Sequence, residues 1–131
     1  MRLSANFESQ RKCRSVGGLR QNSSGGVNAG QTNRRVFVIR VLVPTTVEQG
    51  DLAEVLRLYD ELVTETRKEV GCINYELLQR TDNPCELVLA EEWESQEHLD
   101  AHTHTEHFVR LVEALAKLET AAPAQIFTKV L

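Results

Sequence analysis

The sequence predicts an α+β fold of the ferredoxin-like type, in which a four-stranded antiparallel sheet is built in the order β-α-β-β-α-β. Three observations lead to this prediction. Apolar, β-branched runs of strand length occur four times, two segments repeat apolar residues at helical spacing, and a turn sequence joins the two middle runs. The chain has 131 residues, of which 41% are hydrophobic and 26% charged, as expected for one domain.

Residues 1–35 differ in composition from the rest of the chain. They carry seven Lys and Arg against one acid, a net charge of +6, and the part from Ser15 to Arg35 is mostly Gly, Ser, Asn, Gln and Arg. We predict a disordered basic extension over 1–35 and a folded domain over 36–131. The composition of the extension also fits an organelle transit peptide. We favour an extension without a targeting role, because only its composition supports targeting.

The charge, the apolar runs and the cysteine spacing of the chain each exclude a class of function. The predicted domain holds the other 8 bases and 18 acids, a net charge of −10, so we expect no nucleic-acid partner. No apolar run approaches the roughly 18 residues of a membrane helix, and we expect a cytoplasmic protein with no membrane partner. Cys13, Cys72 and Cys85 show no CxxC spacing, which argues against a disulfide framework or a zinc ribbon.

The first strand and the first helix are predicted from consecutive segments. The run VFVIRVLV at 36–43 is apolar and β-branched and is followed by Pro44, which is typical of a strand end. Apolar residues then recur at i, i+3, i+4 and i+7 over about 50–69, which predicts an amphipathic helix. Gly71 follows that segment and is expected to supply a left-handed residue after the helix.

The second half of the domain supplies the other elements. Residues 72–80 and 86–93 are two strand-like runs around TDNP, a turn sequence, so they are predicted to form an antiparallel hairpin. A polar helical segment is expected from Ser95, and a second amphipathic helix near 106–119. The final run at 124–131, AQIFTKVL, is predicted to be the fourth strand.

Strand residues of both parities are apolar, which predicts that both faces of the sheet are buried. Val41 and Leu42 point to opposite faces of the first strand, as do Leu77 and Leu78 in the second. Right-handed crossovers place both helices on one face. An uncovered apolar area of about 600 Å² on the other face would forfeit on the order of 15 kcal/mol. We therefore expect a homodimer that packs sheet to sheet.

Three segments carry a resemblance to a known family. They are EVGCINYELLQR from position 69, LVLAEEWES from position 87 and HLDAHTHTEHF from position 98. Over about residues 36–127 the chain resembles the antibiotic biosynthesis monooxygenase domain family, and within it the quinol-monooxygenase-like proteins. The most recognisable parts are the acidic-Gly-Cys turn before Tyr75, the strand end with Glu91 and Trp93, and the corner with His102 and His107. The resemblance implies a dimeric α/β barrel.

Several activities are compatible with this resemblance. Similar domains act as cofactor-free quinol oxygenases, haem-degrading enzymes, or isomerases of a phosphorylated sugar. The haem-degrading branch is less similar, because it relies on a tryptophan where His102 stands here. The chain also has no dinucleotide fingerprint, P-loop or nucleophile elbow. The expectation is a monooxygenase without a cofactor that acts on an electron-rich phenol or hydroquinone. The alternatives are a non-catalytic dimeric binding or stress protein, and an isomerase of a small phosphorylated ketose-like compound.

All four histidines of the chain lie in one decapeptide, which raises the question of a metal site. His98 and His102 share a helix face, whereas His102 and His104 diverge. Because a catalytic metal generally needs three protein ligands, we predict no metal site. His102 and His107 flank a predicted break between helices, where Thr103 to Glu106 fits a capping box and Thr105 is an alternative N-cap. Either ring is placed to enter a cavity. His98 and His104 are expected to face solvent.

The resemblance and the strand pattern together give a set of candidate site residues. For an oxygenase of this family, His102 or His107 would act as the base, with Asn74 or Tyr75 as hydrogen-bond donor to the developing oxyanion. Glu91 lies in an apolar strand and points the same way as Trp93, so a structural ion pair or a raised pKa is expected. The candidates are His102, His107 and Asn74 as catalytic residues, and Tyr75, Glu91, Trp93 and Phe108 as pocket residues.

Overall fold

The computed structural model describes residues 37–131, so the predicted extension over 1–35 lies outside the described residues. The elements follow the predicted order with small additions. They are β1 (Ile39–Val47), a 3-10 turn (Gln49–Asp51), α1 (Leu52–Thr66), β2 (Cys72–Gln79), β3 (Glu86–Trp93), α2 (Gln96–His102), α3 (Glu106–Leu115), β4 (Glu119–Ala121) and β5 (Gln125–Thr128). The α+β, ferredoxin-like class predicted from the sequence is confirmed. Within 37–131, every helix is too short or too polar to cross a bilayer.

The sheet is antiparallel, and its register decides which side chains face the helices. Its strand order is β2-β3-β1-β4, and β5 pairs with the other half of β1. Val41 of β1 and Tyr75 of β2 both pair with Glu91 of β3. Since directly paired residues point to the same side of a sheet, these three side chains share one face. All three are buried, and this inner face is the one that packs against α1 and α3.

The strand β1 is longer than predicted, because it continues through Pro44 to Val47. Proline lacks the N–H that a strand ladder needs. In β1 the carbonyl of Pro44 accepts the N–H of Ala122, and the missing donor lies on that same side. This side falls between β4, which starts pairing at Thr45, and β5, which pairs only up to Leu42. Pro44 therefore occupies a gap in the ladder, at a position where the strand needs no N–H donor.

The end of the domain differs from the predicted helix over 106–119 and the single strand over 124–131. Helix α3 ends at Leu115, and Glu119–Ala121 already pairs with β1. Buried Glu119 accepts a hydrogen bond from the hydroxyl of Tyr59, at 2.9 Å. Thr45 Oγ1 donates to the carbonyl of Thr120 at 3.2 Å. These long-range bonds stabilise an extended conformation at Glu119 and Thr120. The helical periodicity of the sequence gives no sign of them, so the predicted helix extends too far.

The outer face of the sheet carries no helix among the described residues, and it is apolar as predicted. Leu42 and Leu78 lie on it with 37% and 47% of their surface exposed, and Phe127 of β5 is 47% exposed. Val88 pairs with both Pro44 and Leu78 and lies on the same face. Contiguous exposed apolar side chains of this kind mark an interaction surface.

The turn between α1 and β2 requires glycine at position 71. Gly71 has φ of 86°, the one positive φ found in the described residues. A Cβ at this position would also lie 2.2 Å from Cγ of His98 on α2. The carbonyl of Gly71 accepts the N–H of Glu94 at 2.8 Å, so the turn is joined to the end of β3. Close packing and left-handed backbone both exclude a side chain here.

We predict that Gly71→Ala lowers the free energy of unfolding by about 2–4 kcal/mol, from left-handed strain and the clash with His98. Urea denaturation followed by circular dichroism measures the change. Gly50→Ala is the matched control, because a Cβ there has nothing within 4 Å. The control should change stability by about 1 kcal/mol or less. Equal effects of the two substitutions would contradict this description of the turn.

Candidate functional site

The corner between α2 and α3 positions two histidines. Thr105 is the N-cap of α3 and accepts the N–H of Phe108 on its hydroxyl oxygen. Of the two alternatives that the sequence left open, Thr105 is therefore the N-cap, and Thr103 is the C-cap of α2. His102 is the last residue of α2, and His107 lies in the first turn of α3. The chain changes direction between them, so the two rings approach each other, with centroids 6.3 Å apart.

One carboxylate oxygen joins these two histidines. His102 donates from Nδ1 to Oε2 of Glu69 at 2.7 Å, and Nε2 of His107 lies 2.9 Å from the same oxygen. Glu69 belongs to the turn between α1 and β2, just before Gly71. Three separate parts of the chain therefore meet at a single atom. The side chain of His102 is fully buried, whereas those of Glu69 and His107 are 16% and 18% exposed.

The imidazole of His102 is enclosed by aromatic rings. Its centroid lies 4.7 Å from that of Trp93, 4.7 Å from that of Phe108 and 5.3 Å from that of Tyr75. With Nδ1 bound to Glu69, the other nitrogen, Nε2, is buried and has no hydrogen-bond partner. The hydroxyl of Tyr75 is also buried without a partner. An unpaired buried polar atom costs about 1–3 kcal/mol, and these two belong to rings whose centroids lie 5.3 Å apart. This cluster is therefore the candidate functional site.

The charge state of the pair follows from burial and hydrogen bonding. Burial lowers the pKa of His102 and outweighs the opposing effect of Glu69. Burial acts to raise the pKa of Glu69, but the hydrogen bonds and charges of the two histidines outweigh it, and the pKa lies below the ordinary value. Both pKa shifts agree with one state, in which Glu69 is ionised and accepts a hydrogen bond from a neutral His102. In this tautomer, Nε2 of His102 carries a free lone pair.

A second carboxylate, Glu91, lies on the inner face of the sheet near this group. Trp93 Nε1 donates to Oε2 of Glu91 at 2.8 Å. Burial raises the pKa of Glu91 to about 8, although the Trp93 bond opposes the shift. Glu91 is therefore protonated at neutral pH, which corresponds to one of the two alternatives that the sequence left open for this carboxylate. Burial, followed by the charge of Glu91, also raises the pKa of Tyr75 well above its ordinary value, so the Tyr75 hydroxyl keeps its proton.

The structure brings most of the predicted site residues together. His102, Tyr75, Trp93 and Phe108 are in ring contact, His107 joins them through Glu69, and Glu91 bonds to Trp93. Asn74 is not brought to this group. It pairs with Glu92, whose side chain points to the outer face, and a register shift lies between Cys72 and Asn74.

The other two histidines lie apart from the cluster. His98 is half-buried, with Nδ1 2.8 Å from the hydroxyl of Ser95, and His104 is exposed, with Nδ1 2.7 Å from the carbonyl of Asp100. Solvent exposure was therefore predicted correctly for His104 and only in part for His98. Glu69 was not among the predicted site residues. Its acidic-Gly-Cys turn was noticed as a family feature, but the role of the carboxylate was not.

Comparison with known proteins identifies the family. The antibiotic biosynthesis monooxygenase family model matches residues 38–114. The chain belongs to this family. Rv0793 from Mycobacterium tuberculosis is 37% identical over 63 residues, which cover 48% of this chain and 61% of Rv0793. The chain spans 20% and 61% of the lengths of the curated relatives it matches.

Solved structures share the fold. A conserved protein from Methanosarcina mazei Go1 is 31% identical, with a TM-score of 0.69, and the match covers 72% of this chain and 95% of that protein. SnoaB, a cofactor-independent oxygenase from Streptomyces nogalater, is 19% identical with a TM-score of 0.66, over 72% of this chain and 95% of SnoaB. At that identity, the likeness to SnoaB concerns the fold alone.

The raised pKa of Glu91 predicts a specific dependence of stability on pH. The folded chain keeps a proton on Glu91 that the unfolded chain releases, so this group lowers stability as pH rises from about 4.5 to about 8. Glu91→Gln keeps an oxygen acceptor for Trp93 but cannot ionise. The variant should gain stability relative to the native protein across this range, on the order of 3–5 kcal/mol when Glu91 is fully ionised.

Chemical denaturation at a series of pH values measures that difference. Glu92→Gln is the matched control, because Glu92 lies on the outer face with a partly exposed side chain. A difference between native and Glu91→Gln protein that is independent of pH between 5 and about 9 would show that Glu91 has no raised pKa.

Proposed function

We propose that the protein is a cofactor-independent monooxygenase that acts on an electron-rich phenol or hydroquinone. One observation carries the proposal: His102 is buried, its Nδ1 is fixed by Glu69, and its Nε2 is unpartnered. A carboxylate that orients a neutral imidazole leaves the second nitrogen as a general base. The lowered pKa of His102 keeps that nitrogen unprotonated at neutral pH.

The neighbours of His102 are suited to stabilising the oxyanion and to contacting the aromatic ring of the substrate. Removing a phenolic proton creates an oxyanion, and the protonated, unpartnered hydroxyl of Tyr75 is a hydrogen-bond donor for it. The faces of Trp93 and Phe108 offer apolar contact to an aromatic ring. Protonated Glu91 adds no negative charge beside the substrate anion. In this proposal, Glu69 and His107 hold the base in place and do not touch the substrate.

The reaction balances without a further co-reactant. His102 takes a proton from a hydroxyl of the hydroquinone, and the electron-rich anion transfers electrons to dioxygen. One oxygen atom forms a bond to a ring carbon and remains in the product, a hydroxyquinone. The other oxygen leaves as water after accepting protons, including the one held by His102. The substrate supplies all four electrons, two for the new C–O bond and two for oxidation of the ring to the quinone level.

Substrate access requires movement at the corner between α2 and α3. His102, Tyr75 and Trp93 are fully buried, so a substrate reaches Nε2 only when this corner opens. A groove of about 650 Å³ lies elsewhere, at the far end of the sheet, lined by Leu78, Arg80 and Val88 among others. Its lining includes no histidine. Because it lies partly on the apolar outer face, we assign this groove to subunit contact and not to catalysis.

We predict that His102→Asn lowers turnover of hydroquinones by about 10²–10⁴-fold. Asparagine retains a donor toward Glu69 but has no equivalent of Nε2. Tyr75→Phe keeps the ring and removes the donor, so turnover should fall by about 10²–10³-fold. The measurements are oxygen consumption and product absorbance with a panel of hydroquinones. Product absorbance is also followed without dioxygen.

His104→Ala is the matched control for these variants, since His104 is exposed and bonds only within its own corner. Turnover should be retained in the control. Native rates in His102→Asn and Tyr75→Phe would overturn the proposal. Conversion of a phosphorylated ketose without oxygen uptake would favour the isomerase alternative. Saturable binding of a hydroquinone without turnover would favour the binding protein.

We also propose that the protein is a homodimer joined through the outer face of the sheet. The support is the apolar patch of Leu42, Leu78, Val88 and Phe127 described above. Burying an exposed leucine side chain contributes about 1.5–3 kcal/mol, and a two-fold axis uses every such residue twice. An isologous contact of this kind encloses both sheets between two layers of helices, as in a dimeric α/β barrel.

We predict that Leu42→Glu shifts the protein from dimer to monomer, because it would bury an uncompensated charge from each subunit in the apolar interface. Sedimentation velocity at micromolar concentration measures the shift. Val109→Glu is the control, since Val109 is 52% exposed on α3, away from the outer face. The control should remain dimeric. A native protein that is monomeric under these conditions would contradict the proposed assembly.

A further inference from the structure

We propose that Glu69, His102 and His107 form a binding site for a divalent transition-metal ion of the zinc type. The ligand atoms are Oε2 of Glu69, Nδ1 of His102 and Nε2 of His107, and all three lie within 4.8 Å of one another. Of the four histidines in the segment 98–107, only His102 and His107 come together, because His98 and His104 contact Ser95 and the Asp100 carbonyl instead. Glu69 supplies the third ligand from a turn that precedes His102 and His107 by more than thirty residues.

The spacing of these atoms is close to that of a coordination shell. With metal–ligand distances of about 2.0–2.2 Å, adjacent ligand atoms in a tetrahedral site lie roughly 3.4 Å apart. The two contacts to Glu69 are 2.7 and 2.9 Å and must lengthen by about 0.5–0.7 Å to reach this spacing. The two histidine nitrogens must approach from a separation of up to 4.8 Å. His107 is the ring with room to move, because its side chain reaches solvent.

The donor set and the exposure indicate the class of ion. Two imidazoles and one carboxylate suit zinc and its neighbours among the divalent transition metals, and they suit calcium or magnesium poorly. Glu69 and His107 are partly exposed while His102 lies beneath them, so an ion enters from solvent. Positions not filled by the three side chains remain open to water, as in catalytic zinc sites.

Metal binding and base catalysis would exclude each other. The single proton of the neutral ring is on Nδ1, so an ion that binds this nitrogen requires the proton to move to Nε2. With Nε2 protonated, His102 has no free lone pair and is no longer a base. The ion would therefore act as a reversible inhibitor of the proposed oxygenase and not as its cofactor. This consequence rests on the proposed function, whereas binding itself does not.

Isothermal titration of the full chain with Zn²⁺ tests the site. We expect saturable binding of one ion per chain with a Kd of about 1 µM or tighter, and a rise in Tm on binding. His107→Ala and Glu69→Gln should each weaken binding by about 10–100-fold or more. Glu69→Gln retains the shape of the side chain, so it tests the ligand even where His107→Ala disturbs folding. His104→Ala is the matched control and should bind like the native chain.

Co²⁺ distinguishes this site from the cysteines of the chain. Bound at the proposed ligands, Co²⁺ should show visible d–d bands without the near-ultraviolet charge-transfer band of a thiolate ligand. Three results would overturn the site: no saturable binding of Zn²⁺, binding unchanged in Glu69→Gln and His107→Ala, or a thiolate band with Co²⁺. Since none of these measurements uses turnover, failure of the metal site is distinguishable from failure of the oxygenase proposal.

Discussion

The organisation of the site depends on one atom, Oε2 of Glu69, which both His102 and His107 contact. A hydrogen bond to a carboxylate is worth about 1.5–3 kcal/mol, more than one between neutral groups. Here such bonds join the turn after α1 to the last residue of α2 and the first turn of α3. The turn itself is fixed by Gly71, whose close contact with α2 leaves no space for a side chain. Backbone geometry thus sets the position of the carboxylate, and the carboxylate sets the tautomer of the base.

Much of the fold follows from local patterns in the sequence. Strand-like runs and turn chemistry predict the hairpin of β2 and β3, and the two-residue period of a strand places Tyr75, Glu91 and Trp93 on definite faces. Element ends were less predictable, because they depend on distant partners. The strand β1 continues past Pro44 because the opposite edge has a gap there, and α3 ends early because Glu119 bonds to Tyr59.

The site was predictable where the resemblance and strand parity agreed, and not where tertiary contact decides. Glu69 has no periodic pattern that marks it, and only the folded chain brings it to His102 and His107. Asn74, in contrast, was a predicted site residue that the folded chain does not bring to the cluster. Strand parity separated it from Tyr75, and the register beside Glu92 keeps it on the outer face. Its proposed role came from the resemblance, and the geometry favours Tyr75 as the donor.

The central claim concerns the protonation of His102, and nitrogen-15 NMR of histidine-labelled protein tests it most directly. The shifts of the two ring nitrogens distinguish a neutral ring protonated on Nδ1, a neutral ring protonated on Nε2, and the cation. At neutral pH and without metal, we expect His102 to be neutral with its proton on Nδ1. A ring that carries its proton on Nε2, or on both nitrogens, would contradict a base held by Glu69.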